Sequence, residues 1–278
     1  MSNKAVVDSN WYDRPQYYDI AFQSETLPEA DFIEAACRKY CPWPVERLLE
    51  PACGSGRLIA ALAARGYRLT GFDVSAAALD FLRRRLARRK LRATIHEADM
   101  ADFRLPQPVD AAFCTFSSFR HLLTEEAARG HLECVAESLR PDGIYILGLH
   151  LVPPDASPEC IERWRERRGR TEVAVDLRVV AFDRRERVER LRVSLLVRRG
   201  AEMFRIRDEF PLRLYTAAQI RKLLASVPQF ELLDVYDFWY EIDEPLKLDN
   251  EISDTVFILR KKSGPSSPTR TRGTKSCR

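Results

Sequence analysis

The chain has 278 residues, 45% of them hydrophobic, enough to bury a sizeable core in one large domain or a domain with an elaboration. Its net charge of +4 comes from its end: residues 261–278 hold six Lys/Arg and no acid, and the rest carries −2, which argues against a basic nucleic-acid surface. No apolar run is long enough to cross a membrane, residues 1–10 lack a signal-peptide core, and seven scattered cysteines read as free thiols of a reducing cytoplasm, not a disulfide framework or a zinc site.

Residues 11–40 precede the first strand of the core. Trp11-Tyr12-Asp13 and Tyr17 to Phe22 form an aromatic cluster, and Asp31 to Tyr40 reads as a helix. The apolar run Val45 to Leu49 reads as a buried strand. It ends in Glu50, turns through Cys53-Gly54-Ser55-Gly56, and enters an alanine/leucine-rich helix, Leu58 to Ala64. The two glycines permit a sharp turn and a close approach to a ligand. The helix start offers unpaired N–H groups. Glu50 would repel a pyrophosphate but suits an ammonium group. Ile59 stands where the dinucleotide pattern G-x-G-x-x-G needs its third glycine.

A second strand, Tyr67 to Ser75, carries Asp73, 17 residues after Gly56, and its two acceptor oxygens match the two donors of a ribose diol. A helix follows from Ser75 to Arg89, then a third strand, Ala93 to Glu97, leading to Asp99 and Met100. A fourth strand, Val109 to Thr115, runs into Phe116-Ser117-Ser118-Phe119-Arg120-His121. A helix from Thr124 to Leu139 and a turn at Arg140–Gly143 lead into a fifth strand, Ile144 to His150.

Strand, acid, G-x-G and helix, with further acids at the next strand ends, resemble the ordered motifs of the class I S-adenosylmethionine-dependent methyltransferases. The resemblance covers residues 45–150 and, more loosely, 210–262. It implies a Rossmann-like α/β fold with a mostly parallel seven-stranded sheet, helices on both faces, and S-adenosyl-L-methionine as cofactor. Glu50, Gly54 and Gly56 would cradle the methionine end, Asp73 the ribose, and Asp99 with Met100 the adenine. Arg57 would pair with the cofactor carboxylate, or be a surface residue at the helix start. Cys53, Val74 and Thr115 are further cofactor contacts on this reading. The Tyr-Asp-x-x-Phe-like segment implies a lid, with Tyr17 and Tyr18 reaching the site; ordinary aromatic packing is the alternative. The Phe-Ser-Ser-x-x-His-Leu pattern resembles N-methyltransferases of nucleotide-linked aminosugars. Carried over, His121 is catalytic, accepting a proton or orienting the nucleophile; otherwise it bonds locally in a first helical turn.

After Pro153-Pro154 a short charged helix is expected over Pro158 to Arg168. Three alternating runs follow, Thr171 to Phe182, Arg187 to Arg198 and Met203 to Leu214. They read as an inserted antiparallel meander that covers the substrate or forms a homodimer interface. Thr216 caps a helix, and Phe230 to Phe238 and Asp254 to Arg260 are the last strands. The expected division is an N-terminal helical lid (1–40), the cofactor-binding core (41–150), the insert (151–214), the end of the core (215–262) and a disordered basic tail (263–278). The basic runs Arg83-Arg84-Arg85 and Arg88-Arg89-Lys90 are either a solvated helix face or an RNA-binding ridge. The reading is methyl transfer to nitrogen or oxygen of a small-molecule acceptor in the cytoplasm, without a metal. An RNA or protein methyltransferase and a non-catalytic cofactor-binding protein are the rivals.

Overall fold

Leu48 and Leu49, buried on opposite faces of one strand, sit in the middle of a sheet covered on both sides. The computed structural model describes residues 6–8, 10–157 and 159–263. The tail expected to be disordered lies outside the described residues, apart from Ser263. The chain begins with β1 (Val6–Asp8), a short 3-10 turn at Trp11–Asp13, α1 (Pro15–Ala21) and α2 (Thr26–Tyr40). Then come β2 (Arg47–Pro51), α3 (Arg57–Ala64), β3 (Arg68–Asp73), α4 (Ala76–Arg89), β4 (Thr94–Glu97) and β5 (Val109–Cys114). A 3-10 turn at Ser118–His121, α5 (Glu125–Ser138) and β6 (Leu139–His150) follow. The insert supplies β7 (Ile161–Arg168), β8 (Thr171–Asp183), β9 (Val188–Arg199) and β10 (Glu202–Arg213). The chain returns through α6 (Ala217–Ala225), β11 (Phe230–Tyr236) and β12 (Asp254–Lys261).

The central sheet has seven strands in the order β11-β12-β6-β5-β2-β3-β4, and only β12 runs antiparallel to its neighbours. Strand order reverses between β2 and β5, which pair in parallel through Leu48↔Ala111 and Leu49↔Ala112. Beyond the carboxyl ends of such neighbours the two connections diverge and leave a crevice. One apolar layer, with Leu132, Val135 and Leu223, packs α5 and α6 on one face. The other, with Phe32, Leu58 and Leu79, packs α2, α3 and α4 on the opposite face.

The second sheet is larger than the three-stranded meander expected from the alternation. Its order is β1-β10-β9-β8-β7, with β1 added in parallel to β10. The N-terminal segment is therefore not wholly helical. The helix expected over 158–168 is a strand instead. Its charges pair across the ladder, as Arg163 with Asp176 at 2.7 Å, and Gly169 at φ 57° makes the turn into β8. Charge spacing alone does not separate a solvated helix from an edge strand. The turn expected at Arg140–Gly143 lies within β6, marked by Asp142 at φ 62° and a register shift opposite Val109. A third apolar cluster, with Trp11, Phe22, Val173 and Leu195, joins α1 to the inner face of this sheet.

Candidate active site

The turn after β2 is held from two sides. Gly56 has φ +67°, and a Cβ on it would stand 2.1 Å from Leu82 of α4, so the helix start can approach only with glycine there. The missing third glycine is compensated on the neighbouring strand: a Cβ on Gly71 would meet the Ile59 side chain at 2.8 Å. The Gly54 N–H donates to Asp73 Oδ2 and the Ser75 N–H to Asp73 Oδ1, each at 2.8 Å. Asp73 thus ties the turn to the start of α4. Burial raises its pKa, against the hydrogen bonds it accepts.

Two buried polar atoms beside this turn lack a hydrogen-bond partner among the described residues: Glu50 Oε2 and Arg57 Nη1. Both residues line one small cavity of about 30 Å³, with Tyr18 and Thr115. Burial pushes the Glu50 carboxyl well above its usual range, and burial also lifts the Tyr18 phenol to about 12. An orphaned acceptor and an orphaned donor in one cavity are the complement of an α-ammonium and an α-carboxylate, which fits the amino-acid end of S-adenosylmethionine. Sequence reasoning missed the partner that aims Arg57. Glu29 of α2, fully buried, accepts from Arg57 Nη2 at 2.5 Å and from Thr115 Oγ1 at 2.7 Å. No local pattern distinguishes it from any helical glutamate. Thr115 therefore supports Glu29, and Cys53 turns its thiol into the core against Gly71.

A cavity of about 670 Å³ extends from there, lined by Gly54, Asp73, Val74, Asp99 and Met100. Val74 is 65% exposed, an uncovered apolar side chain beside the carboxylate. Met100 is held from below: its carbonyl accepts from His131 Nδ1 at 2.8 Å, and His131 Nε2 accepts from Tyr145 at 2.7 Å. Burial lowers the His131 pKa to about 4, so this imidazole is a neutral core link.

His121 lines this cavity and also a second one, of about 600 Å³, under the inserted sheet. Tyr12, Tyr18, Ser118 and Phe210 share that position. His121 Nε2 and the Tyr12 hydroxyl share a hydrogen bond of 3.0 Å. Burial, with a smaller effect of the Arg120 charge, brings the His121 pKa down to about 4, so the ring is neutral near pH 7. The loop before it is strained: Phe116 and Ser117 have φ of 62° and 63°, at about 1–3 kcal/mol each. The Ser117 N–H donates to Gly148 O at 3.0 Å, and Ser117 Oγ accepts from the His150 N–H at 3.1 Å, which holds the loop on β6. Tyr17, the other tyrosine considered for the site, packs on Phe204 instead.

Asp19 of α1 closes the arrangement. It accepts from Ser55 Oγ at 2.9 Å and Arg168 Nη1 at 2.5 Å, and pairs with Arg85. One buried carboxylate thereby joins the N-terminal segment, the glycine turn, α4 and the insert. Burial opposes its ionisation, but the two guanidinium groups hold its pKa below the usual range. Arg85 is thus part of the fold and not a solvated ridge residue.

Comparison with known proteins agrees with this geometry. A family model described as a methyltransferase domain matches residues 48–143. A Streptomyces fradiae protein named dTDP-3-amino-3,6-dideoxy-alpha-D-glucopyranose N,N-dimethyltransferase is 30% identical over 66% of this chain and 69% of its own length. A Streptomyces venezuelae dTDP-3-amino-3,4,6-trideoxy-alpha-D-glucopyranose N,N-dimethyltransferase is 30% identical over 49% of the chain and 56% of its own. A crystal structure of an S-adenosylmethionine-dependent methyltransferase from Clostridium acetobutylicum superposes with a TM-score of 0.74, at 17% identity, over 91% of this chain and all of that one. The chain belongs to the S-adenosylmethionine-dependent methyltransferases, with the class I fold, and is an enzyme that uses this cofactor.

Proposed function

We propose that the enzyme methylates an amine nitrogen of a small molecule held in the cavity under the inserted sheet. The observation that carries this reading is the position of His121, which lines both cavities and joins them. The names of the two Streptomyces relatives, both amino-sugar N,N-dimethyltransferases, support nitrogen as the acceptor atom.

S-adenosylmethionine supplies an electrophilic methyl group on a sulfonium centre. Glu50 and Arg57 hold its ammonium and carboxylate, Asp73 its ribose diol, and Asp99, Val74 and Met100 its base. The Gly54 and Gly56 turn lets the backbone come close, and Tyr18 covers the amino-acid end. His121, neutral and bonded to Tyr12, orients the acceptor and accepts a hydrogen bond or proton from it. In-line displacement needs a nucleophile held close and collinear, and water kept out, more than it needs a strong base. The inserted sheet contributes Leu177, Leu191 and Phe210 to the wall of the cavity, which favours a covering role over a homodimer interface.

Incubation with S-adenosylmethionine and a panel of amines, amino sugars and alcohols, read by product mass, tests the reading. Mass gains of one or two methyl groups confined to amines are expected. Methylation only of the alcohols would refute it.

A further inference from the structure

The cavity under the insert combines aromatic rings with acids. Trp11 stacks on Phe210 with centroids 5.9 Å apart, and Phe22 meets Phe116 at 4.7 Å and Trp164 at 5.4 Å. Three carboxylates line the same space: Glu162, Glu189 and Asp254. Among the described residues, Arg120 is the one Lys or Arg in the lining, and it is already engaged. Its Nε donates to Arg213 O at 2.8 Å and its Nη2 pairs with Glu189. Asp254 faces His150, whose Nδ1 lies 2.7 Å from Oδ1, and Glu162 accepts only from the Cys160 thiol, at 3.7 Å, among the described residues. The lining thus holds three carboxylates against one guanidinium, which is already paired with Glu189.

Aromatic faces attract cations, and a cleft lined by one sign of charge concentrates the opposite sign. Phosphate groups call for the reverse, a fork of free guanidinium donors or a ready helix start. Arg184, at the lip, donates to Ala156 O at 2.7 Å and lies 5.1 Å from the centre of the Phe182 ring. It is outside the lining and occupied by backbone.

We propose that this cavity admits a phosphate-free amine, cationic in solution, carried on an apolar or glycosyl body, and rejects nucleotide-diphosphate-linked sugars. The proposal rests on the reading of this cavity as the acceptor site. It separates the enzyme from the relatives whose names specify dTDP-linked substrates: the chemistry at nitrogen is shared, and the handle on the acceptor is not. Specificity of this kind comes as much from repulsion as from attraction.

The test uses the full chain saturated with S-adenosylhomocysteine, titrated by calorimetry with benzyltrimethylammonium and, separately, with thymidine 5′-diphosphate. The ammonium probe should bind at least about tenfold more tightly. Asp254→Asn and Glu162→Gln, each nearly isosteric, should each weaken the ammonium probe by about threefold or more. Arg184→Ala should leave both affinities unchanged. Equal or tighter binding of thymidine diphosphate, its loss in Arg184→Ala, or no saturable binding of the ammonium overturns the proposal. Binding of S-adenosylhomocysteine is measured first. Its failure would strike the cofactor assignment, whereas normal binding with a preference for the diphosphate strikes this inference alone.

Discussion

Arg57 reaches the small cavity beside the glycine turn because Glu29 holds it there: Nη2 donates to Glu29 Oε1 at 2.5 Å, while Nη1 has no partner among the described residues and shares the cavity with Glu50. The pair joins the helix after the glycine turn to the second N-terminal helix. Both side chains are out of water, with relative exposures of 10% and 0%. Glu29→Gln removes the compensating charge and should cost about 3–5 kcal/mol of stability. The double variant Glu29→Met/Arg57→Met should recover most of that loss in urea unfolding, yet bind S-adenosylhomocysteine poorly. Full affinity in the well-folded double variant would contradict the assignment of Arg57 to the carboxylate.

Glu50 makes cofactor affinity depend on pH. Burial raises its pKa, and a cofactor ammonium favours the ionised form, so binding releases the proton. Affinity for S-adenosylhomocysteine should therefore rise with pH and level off above the raised pKa of the free enzyme, beyond the ordinary glutamate range. The stability of the free enzyme runs the opposite way. The folded state holds this proton more tightly than the unfolded chain, so stability falls as pH climbs from the ordinary value through the raised one. Calorimetry and melting curves on Glu50→Gln should show both dependences flattened.

His121→Asn should lower kcat roughly 10- to 100-fold with S-adenosylhomocysteine affinity nearly intact. Because burial brings its pKa to about 4, wild-type turnover should show no His121 limb near pH 6.5. A limb there that vanishes in the variant would return His121 to the role of a general base with an ordinary pKa. Near-normal turnover in a folded variant would leave it only the hydrogen bond to Tyr12.

Asp19→Asn should destabilise the protein by about 3–5 kcal/mol, since Arg85 and Arg168 would lose the carboxylate they share. The sign with pH follows from the depressed pKa. The contribution is present above the unfolded-state value of an aspartate and disappears as pH falls through the folded value. Acid unfolding of wild type and variant should converge at low pH. Parallel curves would show that Asp19 acts through shape and not through charge.

The residues written locally were readable from the chain alone. Strand ends with acids, the G-x-G turn and the alternation of the insert depend on neighbours a few positions apart, so Glu50, Gly54, Gly56, Asp73 and Asp99 could be named as candidates in order. The mostly parallel seven-stranded sheet was implied by the family resemblance that those motifs carry. What joined distant segments was not readable. Glu29 meets Arg57 and Asp19 meets Arg168 because burial of charge forces pairing wherever folding brings the partners together, and β1 adds to β10 as a strand ladder between Val6 and Arg205. The stretch 161–168 shows the same limit from the other side. Its alternating charges suited a helix or an edge strand equally, and only the ladder with β8 decided between them. The lining of the cavity under the insert was likewise decided by tertiary structure, which set Glu162, Glu189 and Asp254 around one space and engaged Arg120 with Arg213 O and Glu189.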